Sequence, residues 1–245
     1  MGDRNYVSGE LFHLVGYSHP EEHGKNYQTL KQILSDQWIS YWPHTKDWGE
    51  HSVKINWDAD MVKGEFLIPN ITCFADIPFD CLEIHGRKYG QFGLSLDRSY
   101  LVYHDARPVI YVPYLPNDSP SISGLTLVTH LKNTFKGFEK LVVDPIPEQP
   151  DVYLASEPKT AEQAIWATSS IFLMQFLAFV KPFNATLALE DLENYYMERE
   201  WRRFGNLKLQ QNCLRRIVVQ PDFYETAKRD FPEFKDLLSR FPSRT

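Results

Sequence analysis

Apolar positions along this chain recur with two periods, and the switches between them divide it into strands and helices. Residues 9–16 read as a strand closed by glycine, with Leu11, His13 and Val15 on one face and Phe12 and Leu14 on the other. Over 26–39 the spacing of Tyr27, Leu30, Ile33 and Leu34, followed by Trp38 and Ile39, predicts an amphipathic helix. Tyr41–Asp60 shows no period; it reads as a long irregular segment whose Tyr41, Trp42, Trp48 and Trp57 either pack locally or stack on a planar ligand. Apolar runs at 66–68 and 71–74 bracket Pro69-Asn70, and a helix over 79–85 should bury Leu82. Further on, the pattern predicts a strand at 89–96, a short helix over 97–104 entered through Asp97, and a strand from Arg107 to Pro113. Helices are expected over 124–143 and 160–180, the second capped by Thr160 and ended by Pro182. A strand at 213–219 and closing helices at 222–228 and 233–240 complete the reading. This order is α+β, not a regular strand–helix alternation. The expectation is a single domain over 1–245, with a core at about 10–220 and a helical tail at 221–245.

Composition narrows the function classes. Apolar residues make up 43% of the chain and aromatic ones 14%, enough to bury a core over 245 residues. A net charge of -6 supplies no general attraction to nucleic acid or to an anionic membrane. The apolar run Ile171–Val180 is far short of the roughly 20 residues a membrane span needs. No apolar signal region opens the sequence, which points to a cytoplasmic location. Cys73, Cys81 and Cys213 are too few and too scattered for a disulfide framework or a zinc site, and His19 and His23 lack ligand partners at metal spacing. There is no Walker-type phosphate loop, no Gly-x-Gly-x-x-Gly and no Gly-x-Ser-x-Gly.

Candidate chemistry concentrates in Asn194–Phe204, where Glu198 and Glu200 stand at i and i+2 among aromatics and arginines. In an extended segment that spacing puts both carboxylates on one face and Met197, Arg199 and Trp201 on the other. Two adjacent acids repel, which suits them to stabilising a developing positive charge or activating a nucleophile. The plainer reading is a solvated strand edge whose acids pair with Arg199, Arg202 and Arg203.

Several segments together resemble a known family. They are Leu11-Phe-His-Leu-Val, Tyr27–Ile39, Ile71-Thr-Cys-Phe-Ala-Asp-Ile-Pro, His85, Tyr89-Gly-Gln-Phe-Gly, Pro108-Val-Ile-Tyr-Val, Lys181 and Glu198-Arg-Glu-Trp-Arg. This pattern, over about 10–205, resembles the bacterial abortive-infection AbiGi family, tied to phage resistance and labelled an antitoxin. The same order of motifs is similar to the ADP-ribosyltransferase superfamily, in particular its DNA-modifying toxins. That likeness implies an ADP-ribosyltransferase-like split antiparallel or mixed sheet with flanking helices. It also implies NAD as substrate, with Glu200 as catalytic acid and Glu198 positioning the acceptor. His13 would hold the ribose and nicotinamide side, Tyr89 would be the middle aromatic, and Arg107 the phosphate contact, with Arg87 and Arg98 as alternatives. His13 and Glu200 should then face one pocket. The implied function is ADP-ribose transfer to a nucleic acid or protein in phage defence. Two other readings stand beside it: a non-enzymatic partner of a cognate toxin, and a nuclease using Glu198, Glu200 and a metal.

Overall fold

The computed structural model describes residues 8–17, 19–56, 59, 67–116, 176–188 and 190–242, with isolated positions at 129, 130, 133, 160, 161, 164 and 168. In chain order the first elements are β1 (Glu10–Val15), α1 (His23–Asp36) and β2 (Trp38–Ile39). Then come β3 (Val53–Ile55), β4 (Leu67–Pro69), β5 (Ile71–Ala75), α2 (Glu83–Tyr89), β6 (Phe92–Asp97) and α3 (Arg98–Tyr103). The remainder is β7 (Arg107–Pro108), β8 (Ile110–Tyr114), β9 (Val180–Asn184), β10 (Glu200–Phe204), β11 (Leu207–Lys208), β12 (Leu214–Val219), α4 (Tyr224–Asp230) and β13 (Leu238–Arg240).

These elements fall into two compact units. The first comprises 1–51, 70–109 and 188–245 and holds a seven-stranded mixed sheet in the order β13-β12-β6-β1-β5-β10-β7. Neighbours in that sheet run antiparallel except for β12 and β13, which are parallel. Within the same unit β2 pairs with β11. The second unit, 52–69 and 110–187, holds an antiparallel pair of β3 with β4 and a parallel pair of β8 with β9. Its Leu177, Ala178 and Phe179 form a buried 3-10 turn.

Alternation on β1 gives the first unit its two-sided core. Leu11 and Val15 join Phe74, Leu94 and α1 on one face, while Phe12 packs with Leu82, Val218 and Phe241 on the other. Helix α1 buries Tyr27, Leu30, Ile33 and Leu34, as its 3.6-residue spacing requires, and ends where Gln37 turns left-handed. Asp97 caps α3 by accepting a hydrogen bond from the Ser99 amide at 2.8 Å.

Five expected elements are corrected. The strand expected at 89–96 starts only at Phe92, because Tyr89 closes α2. Trp38 and Ile39 are not helical, because their backbone pairs with Lys208 and Leu207. The run from Arg107 to Pro113 is two strands in separate sheets, broken at Val109, whose amide donates to the Glu200 carbonyl. Residues 233–240 are not a helix: Pro232–Phe234 is a 3-10 turn and Leu238–Arg240 is a strand beside Ile217–Val219. The helix expected over 160–180 has its carboxyl end corrected by the turn at Leu177–Phe179 and by β9, which starts at Val180; most of its body, and most of the helix expected over 124–143, lies outside the described residues.

Gly86 is where α2 meets the end of the seven-stranded sheet. A Cβ there would lie 2.3 Å from the ring of the buried Phe241. Gly86→Ala is expected to cost roughly 1–3 kcal/mol through overpacking. A lowered urea midpoint checks this; an unchanged midpoint would mean that Phe241 yields freely.

Candidate site at the paired carboxylates

The segment carrying the two acids is not a continuous strand. Asn194 accepts from the Tyr196 amide at 3.3 Å and opens a 3-10 turn over Tyr195–Glu198. Arg199 then takes a left-handed conformation with φ of 42°, and Glu200 starts β10. One left-handed residue breaks the two-residue alternation, so strand spacing is not what sets the two acids relative to each other. Both acids are buried, at 6% and 8% exposure, which also removes the solvated-edge reading.

Each carboxylate has its own partner. Glu198 Oε1 accepts from Lys88 Nζ at 2.9 Å and from the Tyr89 hydroxyl at 2.5 Å. Lys88 also donates to the Leu192 carbonyl at 2.8 Å and lies 4.5 Å from the Tyr195 ring centre. Glu200 is held by Arg202 through two hydrogen bonds, 2.8 Å and 3.1 Å long, a bidentate pair with fixed geometry. Burial pushes the Tyr89 hydroxyl well above its ordinary range, and the charges of Glu198 and Glu200 push it further, so Tyr89 is a donor and not a base. His85, one helical turn before Tyr89, is 4% exposed and stacks on its ring at 6.2 Å. Among the described residues its buried ring nitrogens meet no partner in full hydrogen-bonding geometry, although the Met197 and Glu198 backbone lies close enough to favour the protonated ring. Burial drives its pKa down to about 4, against an upward pull from Glu198.

The sheet register decides which predicted residues meet. Phe12, Ala75 and Glu200 are directly opposed across β1, β5 and β10, so their side chains leave one face. Arg202 lies beside Cys73 on that face, and Arg107 beside Arg202 at its edge. His13 follows Phe12 and therefore leaves the opposite face, with Phe74 and Trp201. Its Nδ1 is 2.9 Å from the Cys73 carbonyl and its ring 5.8 Å from Phe74, while burial holds its pKa below the usual histidine value. The structure thus gathers Tyr89, Glu198, Glu200 and Arg107 on one side and puts His13 on the other, against the expectation of a shared pocket. Of the alternative arginines, Arg98 is tied to Asp76 at 2.7 Å.

Sequence reading overlooked Lys88 and gave His85 no chemical role. The available signal was the spacing from His85, with Lys88 three and Tyr89 four residues on, which lines the three side chains along one helix.

Among the described residues no group of three or more His, Cys, Asp or Glu side chains could hold a metal ion, and no helix is long and apolar enough to cross a membrane. No curated protein and no solved structure matches the chain. A family described as "Putative abortive phage resistance protein AbiGi, antitoxin" matches residues 64–238. That span takes in α2, the two carboxylates and their cations, and the chain belongs to the AbiGi family.

Proposed function

We propose that this chain is the antitoxin component of an abortive-infection system and works by binding a cognate toxin protein, without turning over NAD. The observation that carries this is the neutralisation of both acids within the fold, Glu198 by Lys88 and Glu200 by Arg202. A carboxylate that is to stabilise an oxocarbenium-like ribose must face that charge when it develops. Here Arg202 already occupies both oxygens of Glu200, and His13 points to the other side of the sheet. ADP-ribose transfer from NAD to a nucleic acid or protein, the reading the motif order suggests, would need both arrangements undone. The family description supports the antitoxin reading.

The test is NAD hydrolysis by the purified chain together with rescue of cells expressing the toxin. The expected result is no NAD turnover, co-purification of the toxin, and rescue by Glu200→Gln as by the wild type whenever its melting temperature is kept. NAD turnover that falls on the order of a hundredfold in Glu200→Gln would overturn the proposal in favour of a transferase.

A further inference from the structure

Three residues at the carboxyl end of α1 form a hydrogen-bonded chain that plays no part in the carboxylate site. Asp36 is the last residue of α1, Ser40 follows β2 directly, and His44 lies in the loop beyond. His44 Nε2 is 3.1 Å from Asp36 Oδ2, and its Nδ1 meets the Ser40 hydroxyl. Lys46 contacts the other Asp36 oxygen at 2.7 Å. All three members of the chain are partly buried.

The scaffold holds these residues from both sides. Pairing of β2 with β11 fixes the backbone entering Ser40. The fully buried Asn206 accepts from the Tyr41 amide at 3.1 Å and donates to Thr45 Oγ1 at 2.8 Å, so it brackets the loop between Ser40 and His44. With Nε2–H donated to Asp36, Nδ1 is left as the acceptor for the Ser40 hydroxyl. That is the division of roles in a nucleophile–base–orienter set, here with the two ring nitrogens exchanged relative to the usual arrangement. Trp42, 90% exposed and two residues from Ser40, offers an apolar surface on the same loop.

The geometry points to Ser40 as an activated nucleophile, with His44 as its base and Asp36 orienting the imidazole, for acyl transfer from small esters carrying an apolar acyl group. In this step Ser40 Oγ bonds to the acyl carbon while its proton passes to His44 Nδ1. The ester C–O bond breaks, and the alcohol leaves with that proton. Water then attacks acyl-Ser40, giving its proton to His44, which returns it to Ser40 Oγ as the carboxylic acid is released. This activity is independent of the antitoxin reading.

The probe is a fluorophosphonate, which Ser40 Oγ would attack at phosphorus with loss of fluoride. Using the full chain, labelling should map to Ser40 by peptide mass and vanish in Ser40→Ala. It should slow on the order of a hundredfold or more in His44→Gln, slow in Asp36→Asn, and persist in Glu200→Gln. Melting temperatures identify any variant that fails to fold. Two outcomes would overturn the assignment: wild-type chain that melts normally yet stays unlabelled, or a folded His44→Gln labelled at the wild-type rate.

Discussion

Lys88→Met should lower stability by roughly 3–5 kcal/mol, because it removes the Lys88 cation from the buried Glu198 carboxylate. The methionine keeps most of the lysine stem volume, so the loss reports on charge and hydrogen bonding and not on a cavity. Tyr89 still donates to Glu198 but brings no charge. For a chain of this size the melting temperature should fall on the order of 10 °C. Replacing the carboxylate as well, in Lys88→Met/Glu198→Gln, should recover part of the loss, since an amide is cheaper to bury than an unpaired ion. A single variant within about 1 kcal/mol of wild type would show that the pair behaves like one on an open surface.

Acid should destabilise this protein through His85. Burial holds the folded imidazole at about 4, below its ordinary value of 6.5, so only the unfolded chain takes up a proton between those values. Stability from this group is complete above about pH 6.5, drains as pH falls towards 4, and levels off below. The whole window is worth about 3 kcal/mol, from about 1.4 kcal/mol per unit. His85→Leu should lose this component while retaining the acid response of every carboxylate. Urea unfolding of both proteins at pH 7 and pH 4 checks it: wild type should lose about 3 kcal/mol more than the variant. Parallel losses would place the acid sensitivity elsewhere.

The faces of β1, the buried side of α1 and the Asp97 cap were legible because each depends on residues within a few positions of one another. The two glutamates were likewise singled out from local context; Tyr89 entered only through the resemblance, on a stretch read as a strand, and it meets Glu198 from the end of α2. What escaped the sequence was set by distant partners. Residues 233–240 look helical alone, yet Leu238–Arg240 finds an open edge beside β12 and pairs with it. The opposition of His13 and Glu200 followed from a ladder register that no local pattern encodes. Arg199 is a harder case, since an arginine in a left-handed conformation leaves no mark in composition.

The contact between Gly86 and Phe241 also sets an order of events during synthesis. Helix α2 leaves the ribosome long before Phe241 is made, and Phe241 is itself anchored by its amide to the Val219 carbonyl. Until then the face of α2 that meets Phe241 is wet, and Lys88 and Tyr89 wait for Glu198, made well after them, to complete the cluster. The carboxylate cluster is therefore a late product of vectorial folding, and the side of α2 that ends up against Phe241 stays uncovered for most of elongation.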